Sequence, residues 1–220
     1  MPAFARRFGR VGSEGRALSI ALLLVIGCGH AAPPIPSAQA AMAQERDRIL
    51  APLALDPAVR VRSDEVVYAV HGDTPAAARA QMNEERPVGT HGPFDALTKW
   101  FVSWHYPHLI DSRGCRAGEP HIDVTITTTL PRWDEGELSH RWQSYFAGLR
   151  VHESGHAQNA RAAGQAVLET LKKLPPAGSC SELDDEASRE GKELLRSFNA
   201  EDDAYDQRTR NGQSQGATFP

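Results

Sequence analysis

Between residues 138 and 174 the side chains of one stripe recur every three or four positions. The stripe consists of Leu138, Trp142, Tyr145, Leu149, His152, His156, Ala160, Ala163, Val167, Leu171 and Leu174. This period predicts one long amphipathic helix, which Pro175 and Pro176 end. Two histidines lie on a stripe that is otherwise apolar, so the pattern predicts that both face the interior.

A second helical stripe follows from about Leu183 to Tyr205. Its positions are Ala187, Gly191, Leu194, Phe198, Asp202 and Tyr205. The connection between the two helices, "PPAGSC", is short, and a short connection makes successive helices antiparallel neighbours.

Before residue 138 the period is two, which is typical of half-buried strands. The predicted strands are "EVVYAV" at 65–70, "DALTKWFVSWHYP" at 95–107, and "HIDVTITTTLP" at 121–131, the last ending over 129–131. Between the first two, Thr74 and Pro75 form an N-cap and first position for a helix that ends before Pro87. The predicted fold is α+β: a small antiparallel sheet packed on the two antiparallel helices, in a zincin-like arrangement.

The amino end has the composition of a targeting segment. The apolar run "ALSIALLLVIG" at 17–27 follows four arginines at positions 6, 7, 10 and 16, and this arrangement is typical of a secretory signal. "LVIGC" resembles a bacterial lipobox and predicts lipidation of Cys28, with cleavage after "AQA" at 38–40 as the alternative. We therefore predict a signal peptide over 1–27, an Ala/Pro-rich tether over 28–60, and a folded domain over 61–220.

Charge narrows the possible partners. Residues 1–27 contain four arginines and one glutamate, so their removal changes the net charge from −4 to −7. An acidic chain without a basic cluster is not expected to bind nucleic acid.

Cysteine usage agrees with export. If Cys28 is lipidated, Cys115 and Cys180 remain, and an oxidising compartment allows them to form a disulfide. The alternative is two separate buried thiols.

The sequence "HESGH" at 152–156 is the chemically informative motif. Two histidines four apart on a helix can chelate one ion, and zinc then needs a third protein ligand and an open position for water. Glu153, beside the first histidine, can accept a proton from that water. The alternative is a pair of core histidines satisfied by hydrogen bonds, which would be costly on a buried stripe without a metal.

The third ligand is expected on the second helix. Asp202 and Asp206 are four apart and share a face, with Glu201 and Asp203 nearby, although each taken alone suits a solvated helix end. Three other histidines lack ligand-like spacing with the motif and are expected on the surface: His105, His108 and His121.

Several segments together resemble a bacterial family known as domain of unknown function 922, described as predicted secreted zinc-dependent proteases. They are "YAVHG", "FDALTKWFVSW", a cysteine ahead of "VTITTTLPRW", "RVHESGHAQNA", "GSCSEL" and "YDQRTRNGQSQGA". The resemblance implies a disulfide between Cys115 and Cys180, zinc ligation by His152 and His156, and a general-base role for Glu153.

The tail resembles the family pattern Y-D-x-x-T-x-H-G through Tyr205, Asp206, Thr209 and Gly212. Asn211 stands where that pattern usually has histidine. We predict that Asp206, and not position 211, supplies the third zinc ligand.

The leading hypothesis is an exported zinc metallopeptidase of the periplasm or cell envelope, lipid-anchored to a bacterial membrane through Cys28 and acting on peptides or proteins. A second hypothesis is a non-catalytic envelope module that retains a structural or vestigial metal site. A third is a hydrolase that acts on cell-wall or other amide bonds with the same residues.

Overall fold

A three-stranded mixed sheet forms one layer of the molecule. The computed structural model describes residues 38–133 and 140–220. The sheet contains β1 (Val59–Val70), β4 (Leu97–His105) and β7 (His121–Trp133) in the order β1-β7-β4. Two short hairpins also lie in the described part of the chain, β2 (Val88–Gly89) with β3 (Gly92–Pro93) and β5 (His108–Asp111) with β6 (Gly114–Ala117).

The strand directions correct one expectation. β4 is antiparallel to β7, as predicted, but β1 runs parallel to β7, with Val59 opposite Ile122 and Val70 opposite Trp133. Alternation of apolar and polar residues indicates which face a side chain occupies but carries no information about strand direction. The α+β class is confirmed, and the sheet is mixed instead of antiparallel.

β7 also continues beyond the predicted end, through Pro131 to Trp133. Its pairing with β4 stops at Thr129, so the last residues of β7 pair with β1 alone. Because no described strand pairs with that side of β7 there, the missing N–H of Pro131 is tolerated as it is in an edge strand.

The described residues also form four α-helices: α1 (Ala38–Leu50), α2 (Pro75–Glu85), α3 (His140–Lys172) and α4 (Cys180–Thr209). The Thr74 side chain caps α2 as predicted, and α4 begins with a capping box formed by Ser179 and Glu182. Apolar residues of the α3 stripe meet the inner face of β7 in the main core, which includes Ile122, Val124, Ile126, Ala160, Ala163 and Val167.

The folded region begins earlier than predicted. Ile49, at the end of α1, is buried, and Gln158 of α3 donates to its carbonyl oxygen at 3.0 Å. Further along, the Asp56 carboxylate pairs with Lys172 at 2.8 Å. The predicted tether over 28–60 is therefore wrong for its second half, which packs along α3. The predicted signal peptide over 1–27 and Cys28 lie outside the described residues.

The disulfide implied by the family resemblance is present. Cys115 of β6 is bonded to Cys180, with their Cα atoms 5.1 Å apart. Two main-chain hydrogen bonds between Cys115 and Ala177 support the same junction, at 2.9 and 2.8 Å. The bond joins the β5–β6 hairpin to the first residue of α4. Within the part of the chain that the structure describes, no helix combines the length and apolar character needed to cross a membrane.

Candidate metal centre

Two helices bring three ligand atoms together. His152 and His156 lie on α3, and Asp206 lies on α4. The two histidine Nε2 atoms are 3.3 Å apart, and the Asp206 Oδ1 atom is 3.1 Å from the Nε2 of His152 and 3.0 Å from the Nε2 of His156. The three atoms form a nearly equilateral triangle.

This triangle has the dimensions that zinc requires. Ligand atoms that bind one zinc ion tetrahedrally at roughly 2.0–2.1 Å lie about 3.3 Å from one another. Occupancy of the site would need movements of about a few tenths of an ångström, so the donor set fits the ion.

Asp202 contacts the same cluster from outside the triangle. Its Oδ1 accepts a hydrogen bond from the Nδ1 atom of His156 at 2.9 Å, and its Oδ2 accepts one from the indole of Trp100 at 2.6 Å. With Nδ1–H directed at Asp202, Nε2 is the ring nitrogen of His156 that could bind a metal once the metal displaces its hydrogen. Of the two acids, Asp206 faces both Nε2 atoms, and Asp202 contacts the other ring nitrogen of His156.

His152 is held by neutral groups. Its Nδ1 lies 3.1 Å from Gln215 Oε1 and 3.3 Å from Thr209 Oγ1, and its ring stacks on Tyr205 with centroids 5.0 Å apart. Sequence reasoning assigned no role to these residues or to Trp100. Tyr205 and Thr209 belong to the family pattern Y-D-x-x-T-x-H-G, whereas Gln215 lies in the same tail segment but beyond that pattern.

Glu153 is buried between α3 and the sheet and is only 4% exposed. Its Oε2 atom has no hydrogen-bond partner among the described residues. Burial raises the pKa of this carboxyl group, although the nearby imidazoles oppose the rise. A buried carboxylate oxygen without a partner is costly, so its presence beside the triangle points to a missing polar ligand there.

The electrostatics of the triangle depend on the two acids of α4. Burial would lower the pKa of His156, but its hydrogen bonds to Asp202 and Asp206 raise that pKa to about 10. Burial likewise would raise the pKa of Asp206, but hydrogen bonds with the two histidines bring it well below its usual value. The ionised carboxylates favour positive charge at this site.

The triangle opens into a cavity of about 790 Å³ between β4 and α4. The edge of β4 lines one wall through Leu97 to Trp100, and the tip of the β2–β3 hairpin lines another. At that tip His91 is paired with Asp203 of α4 at 3.1 Å. Glu153 and the three triangle residues all line this cavity.

The remaining histidines near strands do not join the triangle. His108 pairs with Asp184 at 2.9 Å and lies near Cys115 and Cys180, whose sulfur atoms are consumed by the disulfide. His105, the last residue of β4, is exposed, and His121, the first residue of β7, is half-buried. The two lie opposite each other, at the end of β4 that is away from the cavity. Their predicted surface placement holds for His105 and His108.

Asn211 is exposed, and its main-chain N–H donates to the carbonyl oxygen of Asp206 at 2.9 Å. It therefore ends α4 through its backbone, which adopts the left-handed region with φ 50°. Its position is one that asparagine tolerates better than most residues.

Comparison with models of known protein families identified the family of this chain. A model of the family described as "Bacterial protein of unknown function (DUF922)" matches residues 66–213. No curated protein and no solved structure gave a significant match to the chain. The matched segment includes the α3 motif, both disulfide cysteines and the tail of α4, and it covers more than half of the 220 residues. The chain therefore belongs to the DUF922 family.

Proposed function

We propose that the chain is an exported zinc-dependent metallopeptidase. The observation that carries the proposal is the convergence of His152 Nε2, His156 Nε2 and Asp206 Oδ1 within 3.3 Å of one another. Glu153, the residue between the two histidines on α3, lines the same cavity with an unpaired carboxylate oxygen.

A zinc ion held by these three ligands would lower the pKa of a coordinated water and polarise a substrate carbonyl group. Glu153 would accept the proton of the attacking water and deliver it to the leaving nitrogen of the substrate. Burial raises the pKa of Glu153, which makes its carboxylate a stronger proton acceptor. Asp202 and Trp100 would keep His156 in its ligating orientation.

The cavity favours a peptide as substrate. Among the described residues β4 pairs only with β7, so one edge of β4 has no partner strand, and part of β4 lines the cavity. An extended peptide can form main-chain hydrogen bonds with such an edge. A peptide bond placed there would lie beside the triangle and Glu153.

The test is a comparison of the full-length chain with the Glu153→Gln variant. We expect one zinc ion per wild-type chain by metal analysis and cleavage of casein or a peptide library. The variant should keep its zinc and lose activity by at least about 10²-fold, since the proton acceptor is removed. Activity that survives this substitution would falsify the mechanism.

The same comparison also tests the alternative hypothesis, that the chain is a non-catalytic envelope module. A wild-type chain that holds zinc but hydrolyses no peptide, protein or cell-wall amide would support a non-catalytic envelope module. Asn211, which departs from the family pattern, is the reason to keep that alternative in the test.

We also propose export through residues 1–27 and lipidation at Cys28, on the basis of the sequence pattern. Metabolic labelling with a palmitate analogue should mark the wild-type protein in the membrane fraction. Labelling that persists in Cys28→Ala would rule out this attachment site.

A further inference from the structure

A closed ring of three hydrogen bonds lies behind His152, on the side away from the triangle. The Tyr205 hydroxyl donates to the main-chain carbonyl oxygen of His152 at 3.2 Å. Gln215 Nε2 donates to the Tyr205 hydroxyl oxygen at 2.9 Å, and Gln215 Oε1 lies 3.1 Å from His152 Nδ1. The ring starts and ends on the same residue.

The direction of each hydrogen bond follows from the one before it. A carbonyl oxygen only accepts, so Tyr205 must donate its single hydroxyl hydrogen to His152. The Tyr205 oxygen then has only lone pairs for Gln215, which must present its NH₂ group there. The Gln215 carbonyl oxygen is consequently the atom that faces His152, and the ring nitrogen Nδ1 must carry the hydrogen.

A contact from Thr209 indicates independently that His152 Nδ1 carries the hydrogen. Its hydroxyl donates to the main-chain carbonyl of Tyr205 at 2.8 Å, so it has only lone pairs for His152 Nδ1 at 3.3 Å. Two acceptors thus face Nδ1, and neither can supply a hydrogen. A hydrogen on Nδ1 leaves the lone pair of the neutral ring on Nε2, which is the atom in the triangle.

The C-terminal turn that carries Gln215 is fitted closely to α3. Gly212 has φ +81°, and a Cβ at this residue would lie 3.0 Å from the Cβ of His152. A side chain at Gly148 of α3 would overlap the backbone of Gly216 and Ala217. The absence of side chains at these positions lets the turn Gln213–Gln215 approach within hydrogen-bond distance of the imidazole.

We propose that Gln215 is a positioning residue that fixes the orientation and tautomer of His152 for metal binding. The proposal rests on the proposed function, because it concerns the same metal site. The two histidines are then oriented by different chemistry: a neutral amide holds His152, and the carboxylate of Asp202 holds His156. Removal of such an outer partner typically weakens metal affinity by about 10–100-fold.

The experiment measures Zn²⁺ affinity by competition with a chromophoric chelator. It compares the full-length wild type with Gln215→Ala, Gln215→Glu and Gln213→Ala. Gln213 is an exposed residue of the same turn and serves as the matched control. We expect Gln215→Ala to bind about 10–100-fold more weakly than wild type and Gln213→Ala to bind within about 2-fold. Gln215→Glu still offers an oxygen to Nδ1 but no hydrogen to the Tyr205 oxygen, so its affinity should lie between those of wild type and Gln215→Ala.

A spectroscopic measurement tests the tautomer directly. In the zinc-loaded wild type, long-range ¹H–¹⁵N correlation should place the hydrogen of His152 on Nδ1. If Gln215→Ala does not fold, Tyr205→Phe decides instead. It removes the hydroxyl oxygen that accepts the hydrogen bond of the Gln215 amide, and it should weaken zinc binding by about 5-fold or more.

The outcomes separate the two proposals. Equal affinities for Gln215→Ala and Gln213→Ala, or a hydrogen on Nε2 of His152, would overturn the role of Gln215 and leave the metallopeptidase proposal standing. A wild-type chain that binds no Zn²⁺ would overturn both.

Discussion

Asp206 is the carboxylate whose position completes the triangle, since one oxygen faces the Nε2 atoms of both histidines at 3.1 and 3.0 Å. Asp206→Asn should weaken zinc affinity by about 100-fold or more, because a neutral amide is a poor zinc ligand. Asp203→Asn is the matched control: this acid is exposed, lies one turn away and pairs with His91. Chelator competition measures both, and similar affinities for the two variants would contradict the ligand assignment.

A substitution at Asn211 tests whether position 211, and not Asp206, is the ligand position. Its side chain is exposed and its main chain ends α4, so Asn211→His should change zinc affinity by less than about 3-fold. A gain of 10-fold or more on this substitution would identify position 211 as the ligand position. The same titration with the wild type as reference provides the measurement.

At the scale of residues, the sequence predicted the donors on α3 but not how they are oriented. The 3.6-residue period placed His152 and His156 inward because both lie on an apolar stripe. It could not choose between Asp202 and Asp206, which share a helix face, since the choice depends on the offset between α3 and α4. The sequence pattern also could not identify the contact between Gln215 and His152, because that contact depends on a turn that folds back onto α3.

At the scale of elements, the approach of α3 to α4 depends on Gly155. A Cβ at this position would overlap the Tyr205 hydroxyl, and Tyr205 stacks on His152. Gly155→Ala should therefore destabilise the fold by about 1–3 kcal/mol despite the better helix propensity of alanine. It should also weaken zinc affinity, because the displaced Tyr205 no longer holds His152.

Ser154→Ala is the control for Gly155→Ala. Its hydroxyl donates only along its own helix, to the Arg150 carbonyl oxygen at 2.7 Å, so its removal should be nearly neutral. Urea unfolding measures the stability of both variants. A Gly155→Ala protein as stable as wild type would show that the two helices can separate without cost.

The elements that the sequence placed incorrectly are those whose arrangement depends on distant partners. β1 is an edge strand with a mostly exposed pattern, so its apolar period is weak and its direction is set only by pairing with β7. The segment before β1 lacks apolar periodicity, and it is held by contacts from Gln158 and Lys172 on α3. Such contacts leave no local signal in the sequence.

At the scale of the whole molecule, the disulfide between Cys115 and Cys180 closes a separation of 65 residues. Replacing both cysteines by alanine should lower the free energy of unfolding by about 4 kcal/mol, since the unfolded chain regains the entropy of that loop. Urea unfolding of the oxidised wild type and the double variant measures the difference. A loss below about 1 kcal/mol would show that the β6–α4 junction is held by its main-chain hydrogen bonds alone.

Asp95 connects several elements beside a second apolar cluster, which includes Val70, Met82, Leu130, Trp142 and Tyr145. Its carboxylate accepts hydrogen bonds from Arg79 of α2 at 2.7 Å and from the hydroxyl of Tyr145 of α3 at 2.6 Å. Its main-chain carbonyl accepts from Tyr68 of β1 at 2.6 Å. Burial raises the pKa of Asp95, but the hydrogen bonds from Arg79 and Tyr145 outweigh it and hold the pKa below its usual value.

This lowered pKa gives the stability of the molecule a defined dependence on pH. A carboxyl group with a lower pKa in the folded state stabilises the fold above its unfolded pKa of about 4, and the contribution is lost as the pH falls through the folded pKa. Asp95→Asn should therefore cost about 2–3 kcal/mol at pH 7, and this difference should shrink as the pH is lowered from 5 towards 3. Asp64→Asn, which removes an exposed pair with Arg62, should cost less than about 0.5 kcal/mol throughout. Urea unfolding at pH 7, 5 and 3 distinguishes the two, and an Asp95→Asn difference that stays constant with pH would mean that Asp95 holds these elements together by shape and not by its charge.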